Sequence, residues 1–181
     1  MTLELLGLCG ALRTASLNRL LMQDAARRFD GNFQEANLRL HLYDGDLEDE
    51  GLPAAVQALA DQIKAADAVL IVTPEYNQSF SGVLKNALDW VSRVDGQPWK
   101  GKPVALMSAA AGRTGGARAN YALRLAMAPF RTEMVPGPEV LIAGASKEFD
   151  AEGRLTNPRY IQAIEEAMGD LHARAVRATA G

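Results

Sequence analysis

The chain predicts a doubly wound α/β fold, a five-stranded parallel sheet with helices on both faces. Three observations predict it. The run Ala68-Val-Leu-Ile-Val72 is continuously apolar and β-branched, as a strand buried on both faces must be. Strand-like apolar runs and amphipathic helix-like runs alternate along the chain, the pattern of stacked βαβ units. Between strand 68–72 and the next helix lies a polar loop, and loops at the carboxyl ends of strands are where ligands sit in such sheets.

The elements follow in order. Residues 3–9 read as the first strand, and 18–29 as a helix with an apolar stripe at Leu21, Ala25 and Phe29. Leu38, Leu40 and Leu42 alternate with Arg39 and His41, which predicts a strand with one face less buried. Asp44–Glu50 reads as a solvated acidic loop without metal-ligand spacing, and 54–65 as a helix. Strand 68–72 stops at Thr73-Pro74, because proline has no N–H to donate and holds the preceding residue extended.

A helix over 82–93 places Trp90 in the core beside Val83, Leu84, Ala87 and Leu88. Lys85, at the start of that helix, opposes its dipole and calls for an acidic partner, which Asp89 supplies at i,i+4. Pro103–Ser108 is the fourth strand, followed by a glycine-rich loop and a helix over 117–128. Glu139–Ala143 reads as the fifth strand and 157–178 as the last helix, capped by Thr156 or Asn157. Five strands fit the flavodoxin-like order, and right-handed crossovers bring all the strand-to-helix loops to one end.

Size and composition bound the answer. The 181 residues predict one domain over 1–181, large enough to bury roughly two-thirds of its surface without staples. A single cysteine, Cys9, excludes an intrachain disulfide and a cysteine cluster, and its place after an apolar strand reads as a buried, inert thiol. The two histidines, His41 and His172, lie far apart in sequence, which argues against a histidine metal site. A net charge of −3 with no basic run argues against nucleic acid as a partner. With no signal-type segment and no apolar stretch long enough to span a bilayer, the expectation is a cytoplasmic protein without a membrane partner.

Three loops carry the chemistry. The first, Gly10-Ala-Leu-Arg-Thr-Ala-Ser-Leu-Asn18, joins a buried strand to a helix, where free N–H groups and the helix dipole favour an anion. Arg13 offers a charged fork; Ser16, Asn18 and Thr14 offer neutral donors. Neither the Gly-x-Gly-x-x-Gly fingerprint nor a Gly-Lys-Ser/Thr nucleotide loop is present, so the donor set suits a terminal phosphomonoester better than a pyrophosphate. Ser16 or Asn18 can equally serve only as a helix cap. The second loop, Pro74–Ser81, offers an aromatic ring and backbone amides. The third, Ser108-Ala-Ala-Ala-Gly-Arg-Thr-Gly-Gly116, lets backbone approach a ligand closely. A ligand with a phosphate tail, a polar chain and a flat heterocycle would bridge all three, and FMN has that shape.

Gly10-Ala-Leu-Arg13 with Ser16 and Asn18, then Thr73-Pro-Glu-Tyr-Asn77, Leu84-Lys-Asn-Ala-Leu-Asp-Trp90 and Gly115-Gly-Ala-Arg118, resembles the NADPH-dependent FMN reductase family, in particular its chromate/quinone reductase branch. The motifs occur in order over essentially the whole chain. The resemblance implies bound FMN, NADPH or NADH as electron donor, and a quinone or similar small-molecule acceptor. It implies that Leu12, Arg13, Ser16 and Asn18 hold the phosphate. Pro74, Glu75, Tyr76 and Asn77 would line the isoalloxazine and ribityl chain, largely through backbone, with Ser108 and Gly112 closing the other side. It further implies a homodimer or homotetramer, with Arg118, Tyr121 and Glu139 as interface hydrogen-bonding residues.

The chain departs from the family pattern at Ala11 and Ala109–Ala111, where hydroxyl residues are usual, and at Gln78 and Phe80. Each lost hydroxyl removes about one hydrogen bond, ~1 kcal/mol, from flavin binding. The implied cycle is ping-pong, hydride passing from nicotinamide to flavin and then to the acceptor, with no catalytic acid, base or side-chain nucleophile. Two rival readings share the fold. A flavodoxin-type electron carrier would be more acidic and use a Ser/Thr-rich phosphate loop; a flavin-free interaction protein has only the alanine substitutions in its favour.

Overall fold

The computed structural model describes residues 2–180. The first strand, β1 (Leu3–Cys9), leads into α1 (Leu17–Ala26), β2 (Gly31–Glu35), a short α2 (Gly45–Asp49) and α3 (Ala54–Ala65). β3 (Ala68–Val72) is followed by α4 (Gly82–Val91), β4 (Pro103–Ala109) and α5 (Ala117–Met127). The chain closes with β5 (Glu133–Met134), β6 (Val140–Ile142) and α6 (Pro158–Thr179). All pairings are parallel and the order is β2-β1-β3-β4-β5, with β6 also on β4. This is the flavodoxin-like order expected from the strand count.

Alternate side chains of the central strands feed two cores. Leu3, Leu5 and Cys9 of β1, Leu70 and Val72 of β3, and Met107 of β4 pack against α1 and α6. Leu6 and Leu8, Val69 and Ile71, and Val104 and Leu106 pack on the other face against α3, α4 and α5. This period-2 division, with both faces buried, makes these three strands read as unbroken apolar runs. Among the described residues no helix is long and apolar enough to cross a membrane.

Two expectations need correction. The strand foreseen at 38–42 is irregular backbone, and the second strand is Gly31–Glu35. That strand lies at the sheet edge, in register with β1 from Leu3↔Gly31 to Gly7↔Glu35, and its residues are largely exposed. An edge strand with one neighbour needs little apolar content, so it left no periodic signal. Leu38 and Leu40 instead pack into the core beside α3 and α4, while Leu42 is 80 % exposed. The acidic stretch at 44–50 contains α2, whose first turn is capped by the Asp44 carboxylate accepting from the Asp46 N–H.

The fifth strand comes in two pieces. β5 pairs with Pro103–Val104 and β6 with Met107–Ala109, and between them Pro136-Gly137-Pro138 leaves the ladder because proline cannot donate to it. The remaining elements lie within three residues of expectation. Asn157 caps α6, its side chain accepting from the Arg159 N–H.

Candidate flavin site at the carboxyl edge

β1, β3 and β4 are neighbours, so the loops that leave their carboxyl ends lie side by side. β1 has β2 on one flank and β3 on the other, and its connection passes to the face opposite that of β3. That is the topological switch point of the sheet, where a crevice opens between helices.

The first loop is held at both ends. The Gly10 N–H donates to the Val72 carbonyl at 2.8 Å, and the Ser16 hydroxyl accepts from the Asn18 N–H at 3.2 Å as the cap of α1. Between them, the N–H groups of Leu12, Arg13, Thr14 and Ala15 form no hydrogen bond among the described residues. The Arg13 side chain is exposed and joins no ion pair there. Its carbonyl accepts from Arg19, which Glu35 anchors at 2.8 Å. Asn18 is buried, and its side-chain amide is committed to the main chain of Ala109 in β4. Arg39, expected on a strand, sits on irregular backbone and donates to the Leu12 carbonyl at 3.3 Å. It brings a further cation to the first loop that no sequence signal revealed, because the contact depends on where 36–43 lies.

The second loop is a miniature hairpin. Tyr76 and Ser79 exchange N–H···O bonds of 2.9 and 3.1 Å across Asn77 (φ 49°) and Gln78 (φ 66°). Two successive positive φ values define a type I′ turn, unusual for glutamine. The N–H groups of Glu75, Asn77 and Gln78 form no hydrogen bond among the described residues, and Tyr76 is 58 % exposed. Pro74 is buried at the strand end. The base of the loop is locked: the Ser81 N–H donates to the Thr73 hydroxyl, and the Ser81 hydroxyl caps α4. Gly10 abuts this base, since a Cβ there would lie 2.7 Å from the Ser81 hydroxyl and 2.9 Å from that of Thr73.

The third loop is laced to the segment after β6. Ala110 donates to the Ile142 carbonyl, and the carbonyls of Ala110 and Gly112 accept from Ala145 and Gly144. Gly112 itself is exposed, and Ala111, Gly112 and Arg113 keep free N–H groups among the described residues. Ser108 is fully buried, its hydroxyl donating to the Thr73 carbonyl at 2.6 Å. Gly116 lies against that hydroxyl: a Cβ would fall 2.0 Å from it, and φ is +91°. Glu75 reaches across from the second loop, its carboxylate accepting from the N–H groups of Arg118 (3.1 Å) and Ala119 (3.4 Å).

Nearby groups are structural. Cys9 is buried, its thiol donating to the Ala11 carbonyl, and burial pushes its pKa up, away from a reactive thiolate. Trp90 is fully buried and donates to the His41 carbonyl at 2.7 Å. Lys85 and Asp89 pair at 2.6 Å. The exposed Tyr121 hydroxyl donates to Glu139 at 3.1 Å, which raises the phenol pKa. A cavity of about 500 Å³ lies elsewhere, between α4, α5 and the 94–100 loop, and none of the expected site residues lines it.

A sheet of this order with three amide-rich loops at its switch point defines the flavodoxin-like class of α/β proteins. The NADPH-dependent FMN reductase family matches over residues 3–147. An NAD(P)H-dependent FMN reductase of Pseudomonas aeruginosa is 41 % identical over 169 residues, covering 92 % of this chain and 91 % of the relative. A quinone reductase of Escherichia coli is 46 % identical over 127 residues, 67 % of this chain and 68 % of that one. Among solved structures, the flavoenzyme NAD(P)H:(acceptor) oxidoreductase FerB from Paracoccus denitrificans superposes with a TM-score of 0.87 at 32 % identity, over 97 % of this chain and 98 % of its own. The chain belongs to the NADPH-dependent FMN reductase family. It is therefore an oxidoreductase that works with FMN and NAD(P)H.

Proposed function

We propose that this chain is one FMN-binding domain over residues 1–181 that passes electrons from NAD(P)H to quinones, with azo compounds, chromate and free flavin as further acceptors, by a ping-pong cycle. One observation carries the reading: three runs of backbone N–H groups with no hydrogen-bond partner among the described residues, one of them beside a guanidinium with no ion pair there, line adjacent loops. The donor chemistry fits FMN from end to end. The amides of Leu12–Ala15 and the Arg13 guanidinium suit a phosphate dianion. Pro74, Glu75, Tyr76 and Asn77 supply a rigid turn whose free amides suit the oxygen- and nitrogen-rich edge of the heterocycle. Gly112 and its neighbours form the facing wall. Asn18 and Ser108 serve by position, since the amide of one and the hydroxyl of the other are committed to Ala109 and Thr73.

When bound, FMN supplies hydride acceptance and two-electron transfer to a second substrate. The residues of this chain bind and orient. The backbone donors of the 75–78 turn would stabilise negative charge at the edge of the heterocycle, and the cycle calls on no side-chain acid or base. The exposed Tyr121 (56 %) and Leu125 (78 %) of α5, beside Arg118 and Glu139, support assembly as a homodimer or homotetramer through this face. The lone buried thiol suits a reducing cytoplasm.

The test is direct. Protein purified without added flavin carries, or takes up, FMN; its absorbance bleaches with NADPH under anaerobic conditions and returns with a quinone. Varying both substrates yields parallel reciprocal initial-rate lines. Intersecting lines would exclude the ping-pong order, and a protein that never acquires FMN would exclude the enzyme reading.

A further inference from the structure

Helix α5 begins where its own sequence cannot cap it. The first-turn N–H groups of a helix need acceptors, ordinarily a Ser, Thr, Asp or Asn side chain at the N-cap. Here the cap position is Gly116, with φ +91° and no side chain. A larger residue is excluded, because a Cβ would strike the Ser108 hydroxyl at 2.0 Å. Gly115 is closed off likewise, by the Leu141 carbonyl at 2.5 Å. The acceptor comes instead from 43 residues upstream. The Glu75 carboxylate takes the N–H groups of Arg118 and Ala119, and its second oxygen lies 3.6 Å from the Arg118 guanidinium. A carboxylate at a helix N-terminus also meets the positive end of the dipole.

The same residue opens the 75–79 turn, whose amides at Glu75, Asn77 and Gln78 are free among the described residues. Among the described residues, these side-chain contacts are the only hydrogen bonds between 74–80 and α5. We propose that Glu75 is a positioning residue: its side chain caps α5 from across the site and so sets the distance and tilt of the amide row offered to the flavin. The flavin part of the proposal rests on the FMN reading above; the mechanical link between loop and helix does not. Two consequences follow. The Glu75 side chain is withdrawn from ligand contact, and any change that frees the α5 N-terminus also loosens the turn.

The experiment compares wild type, Glu75→Ala, Glu75→Gln and Arg118→Ala. In the flavin-free protein, hydrogen exchange followed by mass spectrometry reads the link. Glu75→Ala should speed exchange together in peptides covering 74–81 and 117–121, Arg118→Ala should leave both near wild type, and Glu75→Gln, which keeps an acceptor oxygen, should fall between. In the FMN-loaded protein, Glu75→Ala should weaken FMN at least about tenfold and shift the visible spectrum and midpoint potential of the bound flavin, with partial rescue by Glu75→Gln. Faster exchange confined to 117–121, with FMN affinity and spectrum unchanged, would reduce Glu75 to a helix cap and overturn the proposal. If Glu75→Ala fails to fold, Glu75→Gln against wild type decides on the same readouts. If wild type takes up no FMN, the reductase reading and the flavin role fall together, and the exchange data alone decide the loop-to-helix link.

Discussion

Asn18 and Ala109 are joined by a reciprocal pair of hydrogen bonds: the Asn18 side-chain amide donates to the Ala109 carbonyl at 2.9 Å, and its oxygen accepts from the Ala109 N–H at 2.9 Å. Both residues are buried. The first helical turn after β1 is thus stitched to the end of β4, two strands away, and the phosphate-type loop is held against the third loop. Asn18→Ala leaves both main-chain groups of Ala109 unpaired in a buried setting, a cost of about 2–4 kcal/mol. Asn18→Asp keeps the acceptor but sets a carboxylate against the Ala109 carbonyl, so it should not recover the loss. Urea denaturation measures both; wild-type midpoints would refute the structural role given to this amide.

Trp90 should tolerate loss of its N–H better than loss of its volume. The His41 carbonyl that accepts from the indole also accepts from the Asn86 side chain at 2.8 Å, so Trp90→Phe leaves no orphan acceptor. The indole also meets Tyr43 edge-on at 5.0 Å. We expect Trp90→Phe to destabilise by roughly 1–2 kcal/mol and Trp90→Ala by about 3–5 kcal/mol, with the bound-flavin spectrum unchanged in the folded phenylalanine variant.

Gly116→Ala meets two obstacles at once, a contact of 2.0 Å with the Ser108 hydroxyl and a φ of +91°. The expected loss is about 2–4 kcal/mol. Adding Ser108→Ala removes the nearer contact but leaves the Ser108 Cβ at 2.8 Å and the backbone strain, so the double variant should recover only part of the melting temperature. Full recovery would mean that the conformation of Gly116 contributes nothing.

Arg13→Ala should separate binding from folding. The side chain is exposed and joins no ion pair among the described residues, so thermal stability without flavin should change little. Loss of a charge-assisted bond to a phosphate is worth about 1.5–3 kcal/mol, or roughly 10- to 100-fold in the Kd for FMN. Riboflavin, which lacks the phosphate, should bind wild type and variant alike. An equal loss for both flavins would move Arg13 away from the phosphate.

The Tyr121 phenol should titrate above its ordinary value of 10.0, because its hydroxyl donates to the Glu139 carboxylate and ionisation would break that bond and set two negative charges together. A folded-state pKa above the unfolded one stabilises the fold below about pH 10, and that contribution is lost as pH rises through the folded value. The absorbance at about 295 nm isolates this phenol as the difference between wild type and Tyr121→Phe. In Glu139→Gln the step should move back toward the ordinary tyrosine range. A step at unchanged pH in that variant would show that Glu139 does not govern it.

What the chain declared on its own follows from burial. β1, β3 and β4 were legible because both faces of each are covered, which demands an unbroken apolar run. Trp90 was legible from the apolar spacing of Val83, Leu84, Ala87 and Leu88 on its helix. The polar loops after β1, β3 and β4, and their motifs, pointed to one end of one sheet because parallel right-handed topology leaves no other place for them. The polar edge strand β2 left no such mark, and the alternation at Leu38–Leu42 imitated a strand although Leu38 is buried and Leu40 partly buried by packing beside helices. Only the tertiary structure could decide which polar groups remain free for a ligand. Asn18, Ser108 and Glu75 look alike as donors and acceptors along the chain, yet their partners stand 91, 35 and 43 residues away. Hydrogen-bond saturation is a property of distance in space, and residue order alone does not record it.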